Sequence, residues 1–209
     1  METRVQEGIS VPIPDDKKKE ICVPRIYAKK DGLIQTLDEN GVPDGNPLKF
    51  SEVHAKGHWH RVALVCIVNA KNQILLQQRS QTVPKSPNVW DISAASHVFY
   101  GYDSIDTAKK SIVNELGISL AHRTELSDFK YITCFRKEYE YENIIEKQFH
   151  DLFLVRLKED MSADIIFNKD EVMDITWRSL PEIRKMELNE EFFPRTEWIR
   201  QINDYLIRG

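Results

Sequence analysis

The chain has 209 residues, of which 41% are hydrophobic, so it is long enough to bury one sizeable core. Its formal net charge of -4 argues against nucleic-acid polymers and anionic membranes as partners, because such binding relies on clustered lysine and arginine. Three widely spaced cysteines and the lack of a long apolar run indicate a cytoplasmic protein without disulfides, paired zinc ligands or a membrane span.

Residues 1–30 are predicted to form a loosely ordered extension ahead of a single domain at residues 31–209. The extension combines prolines and charged residues with few aromatic residues, so it buries too little apolar surface to offset the entropy of ordering. The segment from Gly32 to Val53 predicts a small hairpin that turns at Asn40 and Gly41, where glycine adopts a positive φ without a steric penalty.

The apolar run from Arg61 to Val68 predicts a central strand that is buried on both faces. A polar turn and the segment QILLQQR, which ends at Arg79, predict the neighbouring strand. After a loop with two prolines, Ser104 is the predicted N-cap of a helix that Gly117 ends. The predicted buried face of this helix consists of Ile105, Ala108, Ile112 and Leu116.

Two further strands and a terminal helix follow. The predicted strands are Lys130 to Tyr139 and Lys147 to Leu157, and one face of the second consists of Phe149, Asp151, Phe153, Val155 and Leu157. Apolar residues at helical spacing, namely Trp198, Ile202 and Tyr205, predict an amphipathic helix at the end of the domain.

The segment SHVFYGYDSIDTAKKSIVNELGI, residues 96–118, resembles a Nudix box. The pattern of that family is G-x5-E-x7-R-E-U-x-E-E-x-G-U, where U is a bulky aliphatic residue. Its matching positions are Ile112, Glu115, Gly117 and Ile118. Its differing positions are Ser96, Tyr102, Lys110, Ser111 and Asn114, in place of Gly, Glu, Arg, Glu and Glu. The box is therefore degenerate, and Glu115 alone remains of the carboxylates that hold magnesium in the family.

Further blocks resemble the branch of the Nudix superfamily that contains type 1 isopentenyl-diphosphate isomerase and its hydrolase relatives. In family order they are HAKGHWHR at 54–61, NQILLQQRS at 72–80, PNVWDISAASH at 87–97, EKQFHDLFLV at 146–155 and DEVMDITWRSLPEI at 170–183. The resemblance covers roughly Leu33 to Leu206. It implies an α/β (α+β) Nudix fold, in which a mixed β-sheet is sandwiched between helices, with an N-terminal extension.

The resemblance also implies a hydrolase of a diphosphate-linked small molecule that depends on Mg²⁺ or Mn²⁺. Such cleavage needs carboxylates that hold the ion against phosphate oxygens and a base that activates water. Glu115 is the expected catalytic carboxylate and metal ligand. Gln148 stands where the family has a second glutamate, and it can orient water but cannot accept its proton. Weak or altered activity is expected, and the alternative is a non-catalytic domain that binds a diphosphate ligand or a protein partner.

A second set of residues resembles the metal site of the isomerases, which consists of three histidines and two glutamates. His54, His60, His97 and Glu146 match four of its five positions. Imidazole nitrogens with a carboxylate suit Zn²⁺ or Mn²⁺ better than Mg²⁺. The alternative is that these histidines belong to a segment shared with hydrolases that lack this site. Isomerase activity is not expected, because the catalytic cysteine and glutamate of the isomerases correspond to Ala95 and Gln148.

Three basic residues are expected to bind the diphosphate, because matching regions of the isomerases use basic side chains for this purpose. They are Lys49, Arg79 and Lys85. Arg79 is the strongest of these candidates, since a guanidinium group contacts phosphate through two parallel hydrogen bonds. The alternative for Arg79 is a surface salt bridge.

Overall fold

The structure is a computed structural model that describes residues 32–118, 129–141, 144–157, 165–193 and 196–208. The predicted extension at residues 1–30 lies outside these ranges. In chain order the elements are β1 (Leu33–Ile34), β2 (Leu48–Lys49), α1 (Phe50–Lys56), β3 (Trp59–Val68), β4 (Ile74–Arg79), β5 (Trp90–Asp91), β6 (Ala94–His97), α2 (Ser104–Leu116), β7 (Phe129–Tyr141), β8 (Ile144–Arg156), β9 (Val172–Arg178), α3 (Leu180–Leu188) and α4 (Glu197–Arg208). None of the helices in the described ranges combines the length and apolar character needed to cross a membrane.

Strand β3 is the centre of a mixed sheet. On one edge it pairs in parallel with β8, and the antiparallel strand β7 follows β8. On its other edge it pairs antiparallel with β6 and, at Val68 and Ile74, with the start of β4. Strand β4 then diverges and pairs with β5 and β9. The mixed sheet and the central position of β3 confirm the prediction from the sequence.

Successive residues of β3 point to opposite faces of the sheet, and both faces are covered by helices. One face packs against α2 through the buried residues Ala108, Ile112 and Leu116. The other face packs against α3 and α4 through the buried residues Ile183, Trp198 and Ile202. Full burial of one large aliphatic side chain stabilises the fold by about 1.5 to 3 kcal/mol, so these contacts hold both helical layers on the sheet.

Helix α2 has the predicted bounds, but two of its residues differ from the prediction. The N-cap is Asp103, whose carboxylate accepts a hydrogen bond from the Asp106 amide at 2.7 Å, and Ser104 is the first helical residue. The Ser104 hydroxyl donates instead to the buried carboxylate of Asp151. Ile105 is 39% exposed because it lies in the first turn, beside the exposed Asp103 and Asp106. Gly117 ends the helix with φ 64°, as predicted.

An ion pair fixes the beginning of α2 relative to the sheet. Arg61 on β3 donates from Nη1 to both carboxylate oxygens of Asp151 on β8, at 2.9 and 3.0 Å. With the Ser104 hydroxyl also bound, the buried carboxylate has partners for both oxygens. Such pairing offsets the cost of removing a charge from water. The loop before α2 is therefore held at a defined place on the sheet.

The predicted hairpin is correct at its turn and wrong at its end. The Asp38 side chain accepts hydrogen bonds from the Asn40 and Val42 amides, Gly41 has φ 81°, and β1 pairs with β2. Residues from Phe50 onward form helix α1 instead of strand. This short helix ends at Gly57, and it turns His54 into the interior of the domain.

Candidate metal and ligand site

Three histidines and one glutamate, each from a different element, converge beside the sheet. This His–Glu cluster consists of His54 (α1), His60 (β3), His97 (β6) and Glu146 (β8), with all four ligand atoms within 4.8 Å of one another. The Nε2 atom of His54 lies 3.1 Å from Nε2 of His97 and 3.4 Å from Oε2 of Glu146. Tetrahedral ligands about 2.0 to 2.1 Å from a zinc ion are about 3.3 Å apart. These two spacings therefore match the separation of ligands around one divalent ion.

Backbone carbonyls hold two of the histidine rings in the tautomer that a metal needs. Nδ1 of His54 lies 2.7 Å from the Phe50 carbonyl oxygen, and Nδ1 of His60 lies 2.9 Å from that of His58. Because a carbonyl only accepts, each Nδ1 carries the proton and each Nε2 presents its lone pair to the cluster. Burial lowers the pKa of His60 to about 4 and also lowers that of His54. Both rings are neutral at pH 7, which is the form that binds a metal.

Alternate residues of β8 extend the cluster inward. Gln148 donates from Nε2 to Glu146 Oε2 at 2.8 Å, and its Oε1 accepts from His150 Nε2 at 2.7 Å. Both ends of the Gln148 amide thus contact protein groups, and the residue lies beside the His–Glu cluster. His150 was not predicted as part of the site, and its spacing of two residues from Gln148 on a strand was the available signal.

A cleft of about 440 Å³ opens beside the cluster. This volume is in the range of small-molecule sites. His97 belongs to both the cluster and the wall of the cleft. Other residues that line the cleft are Phe50, Gln77, Arg79, Val83, Pro84, Ala95, Ser96, Phe99, Ser111, Asn114, Glu115 and Glu171.

Glu115 is a buried carboxyl group in the wall of this cleft. Its oxygens accept hydrogen bonds from Gln77 Nε2 at 2.8 Å and from the Ala95 amide at 3.2 Å. Burial, and then the nearby carboxylate of Glu171, raise the pKa of Glu115 well above its usual range. A cation in the cleft would favour the charged carboxylate of Glu115 and so oppose this rise in pKa. Glu171 was not predicted as a site residue, although Glu171 lies in the block at 170–183, directly ahead of β9.

Two further Nudix-box positions of α2 line the cleft with neutral side chains. Ser111 and Asn114 both line it. The Ser111 hydroxyl donates to the Ala108 carbonyl at 2.8 Å, so it is turned toward the backbone of its own helix. Neither residue supplies negative charge where the family pattern has glutamate.

The three basic candidates occupy different environments. Arg79 lines the cleft, but its guanidinium donates to the Lys85 carbonyl at 2.8 Å and to the Ser86 carbonyl at 3.1 Å. Its Nη1 also lies 3.7 Å from Oδ2 of the buried Asp91, so the alternative of a salt bridge has a partner, and its Cζ lies 4.8 Å from the ring centroid of Phe193. The Lys85 side chain contacts Glu146, and Lys49 is exposed at the N-cap of α1, away from the cleft lining.

A mixed sheet between helices, with a cleft and a cluster of potential metal ligands at one side, defines an α+β domain with a candidate ligand site. The NUDIX domain family model matches residues 58–199. The chain belongs to the Nudix family, as the sequence predicted.

Similar proteins agree with this assignment. An uncharacterized Nudix hydrolase of Listeria monocytogenes is 31% identical over 158 residues, which cover 76% of this chain and 86% of that protein. The isopentenyl-diphosphate Delta-isomerase of Pectobacterium atrosepticum is 29% identical over 177 residues, or 82% of this chain and 92% of the isomerase. The crystal structure of DR0079 from Deinococcus radiodurans superposes with a TM-score of 0.64 at 15% identity, covering 81% of this chain and 98% of that one. These similarities confirm the predicted fold and the isomerase-like branch.

Proposed function

We propose that this Nudix protein is a divalent-metal-dependent hydrolase that cleaves a diphosphate-linked small molecule in the cleft. The observation that carries the proposal is the position of His97, which belongs to the His–Glu cluster and also lines the cleft. An ion held by the cluster would therefore lie beside the ligand. A related precedent is the NUDIX domain of NrtR from Shewanella oneidensis, which was solved as a complex with ADP ribose.

The residues present fit divalent ions at two places. The cluster offers three imidazole nitrogens and one carboxylate, a set that suits Zn²⁺ or Mn²⁺. The cleft offers oxygen atoms of Glu115 and Asn114, which suit Mg²⁺ or Mn²⁺. When bound, such an ion stabilises the negative charge that develops on the phosphate oxygens.

The side chains of the cleft have distinct roles in this proposal. Arg79 supplies fixed positive charge at the wall and orients the diphosphate. Glu115 holds the cation, because ion binding favours its charged form in spite of burial. Glu171 accepts the proton of the attacking water while the bond between phosphorus and the leaving phosphate oxygen breaks. Gln148 cannot take this role, since an amide is not a base and its two ends contact protein groups.

A second candidate function is non-catalytic binding of a diphosphate ligand. The neutral side chains at positions 111 and 114 favour it, together with the raised pKa of Glu115, because all three weaken the attraction for Mg²⁺. The same cleft and Arg79 would then hold a ligand without cleaving it.

Phosphate release separates the two candidates. Nucleoside diphosphate derivatives and isoprenoid diphosphates would be incubated with the protein in Mg²⁺, Mn²⁺ or Zn²⁺. A hydrolase should release phosphate with at least one combination of substrate and metal ion. Glu171→Gln should slow this release by about 10²-fold or more if Glu171 is the base. Glu39→Gln, an exposed change in the hairpin turn, should leave the rate unaltered. Binding of a ligand without release would favour the second candidate, and neither binding nor release would refute both.

A further inference from the structure

The Lys85 ammonium group is the cation that neutralises the His–Glu cluster in this structure. Its Nζ contacts Oε1 of Glu146, while the other oxygen of Glu146 accepts from Gln148 at 2.8 Å. The Glu146 side chain is 3% exposed and that of Lys85 is 24% exposed. A nearly buried carboxylate is costly without a partner, so Lys85 stabilises the metal-free cluster.

We propose that Lys85 and the divalent ion compete for Glu146, and that metal binding transfers the Lys85 ammonium into the cleft, where it contacts the phosphate of the ligand. This inference rests on the proposed metal site in the cluster. Glu146 is the one anionic group among the four cluster residues, so an ion bound there needs its charge. An ammonium group on the same carboxylate would lie a few ångströms from the ion, and the two cations would repel each other.

The direction of the transfer follows from how the Lys85 backbone is held. Its carbonyl oxygen accepts from the Arg79 guanidinium at 2.8 Å, and the next carbonyl, that of Ser86, accepts at 3.1 Å. The two preceding residues, Val83 and Pro84, line the cleft. The main chain is thus fixed at the rim of the cleft, while the four-carbon side chain keeps its rotatable bonds. The cleft is the adjacent space that a displaced ammonium can enter, and Arg79 is already in its wall.

Such a transfer couples the two sites. The ion removes Lys85 from Glu146 and thereby adds a positive charge to the cleft, which favours an anionic ligand. By thermodynamic linkage, the ligand must strengthen metal binding by the same factor. Lys85 would act as a positioning residue for the metal and as a binding residue for the phosphate.

The first test measures Zn²⁺ binding to the full chain by isothermal titration calorimetry, with Zn²⁺ as the only ligand added. Lys85→Met removes the competing charge at similar length, so it should bind Zn²⁺ at least about tenfold more tightly than wild type. Lys85→Arg keeps the charge and should remain within a few-fold of wild type. Lys71→Met, in an exposed turn, is the matched control and should not differ. In EDTA, Lys85→Met should have the lower thermal midpoint, and Zn²⁺ should raise it more than that of wild type.

The second test titrates inorganic pyrophosphate into protein with and without bound Zn²⁺, after removal of excess metal. Zn²⁺ should strengthen pyrophosphate binding in wild type, and the gain should shrink in Lys85→Met. Equal Zn²⁺ affinity of wild type and Lys85→Met would overturn the competition while leaving the metal site intact. An undiminished pyrophosphate gain in Lys85→Met would overturn the transfer into the cleft. Absence of Zn²⁺ binding in every variant would overturn this inference and the proposed metal site together.

Discussion

The buried histidine of the cluster should make the stability of the metal-free protein depend on pH. His60 is fully buried, and burial lowers its pKa from 6.5 to about 4. In the unfolded chain the same ring titrates at its ordinary value, so between these two pH values the unfolded state binds more protons than the folded state. The free energy of unfolding should therefore decrease as the pH falls through this window, and it should be independent of His60 above pH 7.

The difference between the two pKa values sets the size of the effect. A shift of one pKa unit corresponds to about 1.4 kcal/mol, so protonation of His60 should cost roughly 3 kcal/mol between pH 6.5 and pH 4. The lowered pKa of His54 acts in the same direction. This loss is a large fraction of the roughly 5 to 15 kcal/mol that holds a typical domain together.

Urea denaturation at a series of pH values, in EDTA, measures this dependence. His60→Asn is the informative variant, because its amide nitrogen can replace Nδ1 as donor to the His58 carbonyl without titrating. The variant should be less stable than wild type at pH 7, since ring contacts are lost, but its stability should fall less steeply below pH 6.5. Parallel curves for the two proteins would refute the reasoning.

Three further predictions follow from the site and the core. Ser111→Glu with Asn114→Glu returns carboxylates to the cleft, and phosphate release in Mg²⁺ should rise by about 10-fold or more; an unchanged rate would show that charge at these positions is not limiting. Gln148→Glu should strengthen Zn²⁺ binding measured by calorimetry, because this residue contacts Glu146 of the His–Glu cluster. It should give no gain in Mg²⁺-dependent phosphate release. Ile112→Ala should lower the unfolding free energy in urea by about 2 to 5 kcal/mol, whereas the partly exposed Ile105→Ala should change it by less than about 1 kcal/mol. Similar losses for the two isoleucine variants would contradict the packing of α2.

Local spacing in the sequence was sufficient to predict the main elements. The run in β3 is apolar at successive positions because both faces of the strand are buried, and α2 shows helical spacing up to Gly117. Helix α1 was missed because it has only seven residues, with Val53 and His54 as its buried positions. Two turns are too short for a periodic pattern to stand out from a strand.

The set of potential metal ligands was named from resemblance, but their convergence depends on the register of the sheet. His60 on β3 lies opposite Gln148 on β8, and His97 on β6 lies opposite Val62 on β3. Those pairings place the rings and Glu146 on one side of the sheet. Nothing in the spacing of the residues along the chain specifies these cross-strand neighbours.

By itself the sequence determined the family, the central strand and helix α2 with its neutral side chains at positions 111 and 114, because burial and motif spacing are local properties of the chain. Only the tertiary structure decided that Lys85 contacts Glu146, and that Glu171 lies near Glu115. These groups are far apart in sequence, and two of them lie in loops. Their positions result from how the loops cross the sheet edge and from the need of each buried carboxylate for a cation or a hydrogen-bond donor.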